Sequence, residues 1–167
     1  MLDGTASIEP PSWSSFRYRE IELVFSFVTT SPQGSIFWLG GEKDFVFAGI
    51  RQGFAVAAFN LGGGKATLRS SVRVNDGNRH SVAFRLQDNH GQLFVDGLRV
   101  QAVAASSKFV QLDGFEGPTI GRPLPLLSES QGFFQGELHE MWLNGDDLLA
   151  RALNSSGLVG SRYGMHA

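Results

Sequence analysis

The side chains able to do acid–base or nucleophilic chemistry are scattered along this chain. Glu137 and Glu140 lie three positions apart in one predicted strand, where the two-residue repeat of a strand places them on opposite faces. A sandwich glycosidase needs two carboxylates that converge at about 5–9.5 Å, and this strand does not supply them. The serines form no Gly-x-Ser-x-Gly elbow. We therefore expect no catalytic residues and a protein that is not an enzyme.

Other candidate groups give weak signals. Histidines stand at positions 80, 90, 139 and 166 without a paired-ligand spacing, which favours structural roles. The run Gly62-Gly63-Gly64-Lys65 lacks the first glycine and the Ser/Thr of a phosphate-binding loop. A modest basic patch suited to heparin-like or other acidic glycans is predicted from Lys43, Lys65, Arg69 and Arg73. Solvated charges on an outer face are the alternative.

The elements that must position these groups are short strands. Leu23, Phe25 and Phe27 alternate with smaller or polar residues, which predicts a half-buried strand. Asp96-Gly97 between apolar runs predicts a type I′ hairpin. Strands recur about every 8–12 residues, a spacing typical of sandwiches. The other predicted elements are strands at 36–39, 45–50, 54–59, 66–72, 80–86, 108–112, 119–120 and 137–143, a helix at 147–153 and a loop at 122–132.

Composition bounds the class of protein. The 167 residues suit a single domain over 1–167, with 42% apolar and 18% charged residues. A net charge of −2 disfavours nucleic acid as a partner. The absence of cysteine excludes disulfides and thiolate sites. No stretch approaches the roughly 20 apolar residues of a membrane span, so no membrane insertion is expected. The N-terminal residues do not form a signal peptide, so a secreted protein would carry its signal elsewhere.

Several segments, taken in order, resemble the laminin G-like family. Residues 27–34 are similar to its opening strand and Thr-Thr-x-Pro-x-Gly turn. Residues 74–80 resemble "Val-Asn-Asp-Gly-x-Trp-His", and residues 93–97 resemble "Leu-x-Val-Asp-Gly". Later matches fall at 119–121, 134–136 and 143–145. The resemblance covers about residues 20–150, between a lead-in over 1–19 and a tail over 151–167. It implies an all-β, antiparallel two-sheet sandwich with a concanavalin-like jelly roll, as in laminin, neurexin, agrin and perlecan modules.

Two positions depart from the family pattern. Arg79 stands where the family usually has an aromatic residue. Glu137 stands where many members have a cysteine, so the usual bridge is absent.

The resemblance also implies one weakly bound Ca²⁺ at the rim of the sandwich. Its ligands would be the side chains of Asp44 and Asp113 and the carbonyls of Leu61 and Gln111. A hairpin turning at 51–53 supports part of this set, because it would place Asp44 opposite Asn60, beside Leu61. Ca²⁺ prefers such oxygen ligands. The alternative is that both aspartates are ordinary turn residues.

These observations predict a non-catalytic adhesion or recognition module, itself one part of a larger extracellular chain. Its partner would be a cell-surface receptor, a matrix protein or an acidic glycan bound at the calcium-bearing rim. A sandwich holding an apolar small molecule is an alternative, and a glycan-active enzyme is a weaker one. Asn154 begins an N-glycosylation sequon, which suits a secreted matrix protein or an ectodomain.

Overall fold

The computed structural model describes residues 2–3, 7–8, 16–40, 44–104, 112–114, 116–122, 132–150 and 158–159. Side chains are described for residues 19–40, 44–104, 118–122 and 132–150. The strands within the described residues are β1 (Leu2–Asp3), β2 (Ser7–Ile8), β3 (Phe16–Tyr18), β4 (Glu20–Val28), β5 (Gly34–Gly40), β6 (Phe45–Arg51), β7 (Phe54–Asn60), β8 (Lys65–Arg73), β9 (His80–Gln87), β10 (His90–Val95), β11 (Leu98–Ala104), β12 (Leu112–Gly114), β13 (Glu116–Ile120), β14 (Gln135–Leu143), β15 (Asp146–Asp147) and β16 (Leu158–Val159).

The strands form two antiparallel sheets, which confirms the predicted all-β sandwich. Sheet 1 has the order β1-β14-β4-β9-β10-β11, with β15 paired to β14. Sheet 2 has the order β16-β2-β13-β5-β6-β7-β8, and β3 pairs with β12 in a separate ribbon. Within the described residues, no helix is long and apolar enough to cross a membrane.

The core lies between the sheets because alternate residues of their strands are apolar. On β4 the inward residues Leu23, Phe25 and Phe27 are buried, while Glu20 and Glu22 are exposed. Each fully buried side chain of this size stabilises the fold by about 1.5–3 kcal/mol. The described interior is occupied by phenylalanine rings in mutual contact, which gives no support to an apolar ligand between the sheets; the contacting rings are Phe25, Phe27, Phe59, Phe84 and Phe134.

Sheet 2 is buried on both faces in its middle strands. A second, smaller apolar cluster on its outer face consists of Trp38, Phe47, Val56 and Ala58, with Phe45 packed against it. Double-sided burial explains why β5, β6 and β7 are almost continuously apolar, whereas β4 alternates.

Two-residue turns set the register of the main hairpins. Gln52-Gly53, Asp96-Gly97 and Asn144-Gly145 have positive φ at both residues, as type I′ turns require. The Asp96-Gly97 prediction is therefore confirmed.

The ends of the chain differ from expectation. The predicted lead-in contributes β1, β2 and β3, which pair with β14, β13 and β12. The predicted helix begins at Leu148, where Asp147 Oδ1 accepts the Ala150 N–H at 3.1 Å, and residues 151–153 lie outside the described residues. Most of the predicted loop at 122–132 and of the predicted strand at 108–112 also lies outside them.

Candidate functional site

One end of sheet 2 carries Asp44 and Leu61, two of the positions that the family resemblance selects for calcium. Across this end the pairing runs Glu116↔Gly40↔Phe45↔Asn60↔Lys65. Asp44 precedes Phe45, Leu61 follows Asn60, and Asp113 lies three positions before Glu116. We call this end, with Asp44, Leu61 and the Asp113 backbone, the Asp44 rim.

The register of the β6–β7 hairpin corrects the sequence prediction by one residue. Arg51 belongs to β6 and pairs with Phe54, so the turn contains only Gln52 and Gly53. Phe45 therefore lies opposite Asn60. Continued by one residue, this register places Asp44 opposite Leu61 rather than Asn60. The correction brings the first carboxylate level with the first carbonyl that the calcium set requires.

Local backbone contacts hold the Asp44 rim in place. A Cβ built on Gly40 would lie 2.2 Å from the Asp44 carbonyl oxygen, so only glycine fits there. Asn60 Oδ1 accepts the Gly62 N–H at 2.8 Å and the Gly64 N–H at 3.3 Å. The Leu61 side chain is 2% exposed. The Leu61 carbonyl, just after β7, therefore belongs to a segment held by hydrogen bonds and by burial of its side chain.

The other half of the calcium set is described less fully. The backbone of Asp113 lies in β12 opposite Arg17, and Gln111 and the Asp113 side chain lie outside the described atoms. Among the side chains that are described, no group of three or more His, Asp or Glu residues converges to hold a metal. The expected set, with two carboxylates and two carbonyls, is thus supported here only by Asp44, Leu61 and the strand positions.

The described members of the predicted basic patch, Lys65, Arg69 and Arg73, are exposed along strand β8. Lys65 lies at the Asp44 rim, whereas Arg73 ends the same strand about 27 Å away at the usual rise per residue. Lys43 lies outside the described residues. Arg69 and Arg73 are separated from Lys65 and meet over a ring that sequence reasoning did not select.

That ring belongs to Phe54 on β7. The guanidinium carbons of Arg69 and Arg73 lie 4.5 and 4.7 Å from its centre. Arg51 is the register partner of Phe54 on the other side, so its side chain leaves the same face of the sheet. We call Arg51, Arg69 and Arg73 around Phe54 the arginine cluster. Arg51 could have been found from the hairpin register, but the meeting of Arg69 with Arg73 depends on an irregularity in β8.

The two glutamates of β14 share a face, contrary to the sequence prediction. Glu137 pairs with Val28 and Glu140 with Ser26, which are two apart on β4 and therefore on one side of it. A bulge between Leu138 and Glu140 supplies the extra residue. Glu140 accepts a hydrogen bond from the Ser26 hydroxyl at 2.9 Å. The prediction that Glu137 and Glu140 lie on opposite faces of this strand was therefore wrong.

His80 has a structural setting at the end opposite the Asp44 rim. Its Nδ1 lies 2.8 Å from Asp96 Oδ2 and its Nε2 lies 2.8 Å from Asp76 Oδ1. Burial alone would lower the pKa of His80, but the hydrogen bonds to Asp96 and Asp76 raise it above 6.5. The His80 hydrogen bond, aided by the Asn78 N–H, lowers the pKa of Asp76 to about 2. This cluster joins the β8–β9 turn to the β10–β11 turn.

The remaining candidate residues from the sequence lie in a glycine-rich bend or outside the described residues. Gly62, Gly63 and Gly64 form a bend that enters strand β8, not a helix. Asn154 and His166 lie outside the described residues.

Comparison with known proteins defines the class. Residues 27–146 match the model of the Laminin G domain family, so the chain belongs to that family. It is 29% identical over 181 aligned residues to the basement membrane proteoglycan of Caenorhabditis elegans, covering 99% of this chain and 5% of the relative. It is 33% identical to neurexin-3a of Danio rerio over 153 residues, covering 85% of this chain and 9% of the relative.

Solved structures support the fold. Mouse laminin alpha1 chain domains LG4-5 superpose with a TM-score of 0.76 at 18% identity, over 87% of this chain and 41% of that chain. The relatives are matrix and cell-surface proteins, and the family is generally non-catalytic. The chain spans less than a tenth of the length of these two curated relatives.

Proposed function

We propose that this chain is a non-catalytic, extracellular recognition module that binds its partner at a calcium-bearing Asp44 rim. The partner would be a cell-surface receptor, a matrix protein or an acidic glycan. Because the chain spans only 5% and 9% of its two relatives, it would act as one module of a larger chain.

The observation that carries the proposal is the pairing row at the end of sheet 2. The row pairs Phe45 with Asn60, so Asp44 and Leu61 are the next residues beyond this pair. Asp113 lies three residues before Glu116, the partner of Gly40. Carboxylate and carbonyl oxygens are the ligands that Ca²⁺ takes, and it completes its shell with water. Asp44, Asp113 and the carbonyls of Leu61 and Gln111 would hold the ion. When bound, the ion would offer positive charge and exchangeable positions to oxygen atoms of a partner.

A calcium titration followed by thermal unfolding tests the site. Extracellular modules bind Ca²⁺ with Kd of about 10⁻⁴–10⁻³ M. A ligand that binds only the folded state stabilises it by about 2.7 kcal/mol at a hundredfold excess over Kd. For a domain of this size, that gain raises Tm by about 5–11 °C. We expect this rise in the parent and a much smaller rise in the Asp44→Asn, Asp113→Asn double variant, because each carboxylate is replaced by a neutral amide oxygen.

The matched control is the Glu137→Gln, Glu140→Gln double variant, which removes equal charge from β14 toward the opposite end of the sandwich, where Glu137 pairs with Val28. Glutamine at position 140 keeps an oxygen that can accept the hydrogen bond from the Ser26 hydroxyl. The control should keep the calcium response. A parent whose Tm is unchanged by about 10–100 mM calcium, a hundredfold excess over this range of Kd, would overturn the metal site. Partner binding that persists in EDTA would overturn the role of calcium in recognition.

A further inference from the structure

The arginine cluster is an exposed feature of the described surface that has no part in the proposed calcium site. Within the described part of the chain, no carboxylate pairs with Arg51, Arg69 or Arg73. Two other exposed arginines, Arg19 and Arg85, each pair with a carboxylate. The chain has 16 acidic residues against 14 basic ones, yet none of the acidic side chains that the structure describes pairs with this cluster. Three like charges without a counter-charge repel one another, and an anionic partner would relieve that repulsion.

A bulge in β8 brings two of these charges together. Phe54 pairs with Arg73 and Val56 pairs with Arg69, so a step of two residues on β7 corresponds to a step of four on β8. Bulges re-aim side chains, and this one directs Arg69 and Arg73 onto the same ring. The two guanidinium carbons are therefore separated by no more than the sum of their distances to the ring centre.

The side chain of Ser70 stabilises the bulge through two hydrogen bonds. The buried hydroxyl of Ser70 accepts the Ala55 N–H at 3.0 Å and donates to the Val72 carbonyl at 2.7 Å. These bonds replace regular ladder bonds across the irregular segment. The hydrogen-bonded backbone of β8 therefore fixes the positions of Arg69 and Arg73.

The guanidinium groups are also restrained before any partner arrives. Phe54 supports both of them, and Arg73 also donates a hydrogen bond to the Gln52 carbonyl. A planar guanidinium that is already held loses less side-chain entropy when it binds. Its remaining N–H groups match a carboxylate in a two-bond fork.

From this geometry we propose that the arginine cluster binds a carboxylate-rich segment of a partner protein. Arg51 and Arg73 lie on strands two spacings apart, about 10 Å, and alternate residues of an extended peptide lie about 7 Å apart. An extended acidic segment crossing the strands would therefore present carboxylates to Arg51 and to the Arg69–Arg73 pair in turn. The cluster is at the opposite end of the β6–β7 hairpin from the Asp44 rim, so this binding needs no calcium.

The test uses a short fluorescent peptide with glutamate at alternate positions and its glutamine counterpart. Binding is measured by fluorescence anisotropy in EDTA and in about 0.05 M salt. At this ionic strength the Debye length exceeds about 10 Å, so charge interactions are only weakly screened. We expect the glutamate peptide to bind, the glutamine peptide not to bind, and affinity to fall as salt is raised. The Arg69→Gln, Arg73→Gln double variant should lose affinity by about tenfold or more. The Arg69→Lys, Arg73→Lys variant should recover only part of it, because lysine lacks the fork.

The control is the Arg19→Gln, Arg85→Gln double variant, which changes net charge equally but removes exposed arginines from β9 of sheet 1 and from the residue before β4. It should bind within about twofold of the parent. Equal losses in both double variants would overturn the proposal, because they would indicate an unspecific charge effect. Arginine-dependent binding of a sulfated polysaccharide without binding of the glutamate peptide would also overturn it. Unfolding curves of each variant show that the fold is retained. Because EDTA is present, failure of the calcium proposal leaves this test unaffected.

Discussion

We expect the His80→Gln variant to lose stability, and to lose more of it in mild acid than in mild base. Both ring nitrogens of His80 lie 2.8 Å from a carboxylate oxygen. A carboxylate only accepts, so both nitrogens must donate, and only the imidazolium form has two N–H groups. The folded state therefore favours the charged ring, although its side chain is only 12% exposed.

The size of the effect follows from these contacts. A hydrogen bond to a charged group contributes about 1.5–3 kcal/mol. Solvent screening reduces this because the Asp76 and Asp96 side chains are 45% and 49% exposed. We therefore expect His80→Gln to cost about 1–2 kcal/mol near pH 6, a Tm decrease of about 2–8 °C for a domain of this size.

The pH dependence has a definite sign. The pKa of His80 is raised in the folded state, so its contribution is complete below the unfolded value of 6.5 and is lost as pH rises through the folded pKa. The pKa of Asp76 is lowered to about 2, so its contribution is present above 3.8 and is lost as pH falls toward 2. The cluster should stabilise the fold most between about pH 4 and pH 6.5.

Urea unfolding of the parent and of His80→Gln at about pH 6 and pH 9 measures this. His90→Gln is the matched control, since His90 is exposed at the start of β10. An NMR titration of His80 gives its pKa directly. An equal stability loss at both pH values, or a His80 pKa below 6.5, would refute the imidazolium bridge.

Three further substitutions test packing and the bulge, each by chemical unfolding. Phe27→Ala removes a ring that packs against the rings of Phe25, His80 and Phe134 and should cost about 3–5 kcal/mol; a loss under 1 kcal/mol would contradict the described core. Gly91→Ala places a Cβ 2.6 Å from the Phe59 ring and should cost about 1–3 kcal/mol, whereas a neutral effect would mean that the ring moves freely. Ser70→Ala leaves the Ala55 N–H without its acceptor and should cost about 1–3 kcal/mol, and it should also weaken binding at the arginine cluster; Ser71→Ala is the control for both.

Much of the fold was predictable because local chemistry and tertiary structure agree. The alternation in β4 places Leu23, Phe25 and Phe27 in the core as expected. Asp96-Gly97 forms the hairpin that its residue types favour. Both predictions depend on neighbours in sequence, and so they needed no knowledge of distant partners.

The features that the sequence did not predict depend on irregular strand pairing or on partners distant in sequence. The bulge in β14 is marked by neither glycine nor proline, so the alternation rule put Glu137 and Glu140 on opposite faces. The bulge in β8 likewise concealed the meeting of Arg69 and Arg73. The short strands β1, β2 and β3 have no alternation long enough to detect and are defined by partners more than 90 residues away. The Asp44 rim was predictable only through the family resemblance, and the turn at Gln52-Gly53 shifted its register by one.

The extra residue in β14 also changes how this strand must be aligned with others. Before the bulge the outward positions are odd-numbered, as at Glu137, and after it they are even-numbered, as at Glu140 and Trp142. A homologous strand without the bulge keeps one parity throughout. Its correct alignment with this chain therefore needs a one-residue gap near position 139. An ungapped alignment would equate core residues with surface residues on one side of that position, and residue roles transferred across it would fall on the wrong face of the sheet.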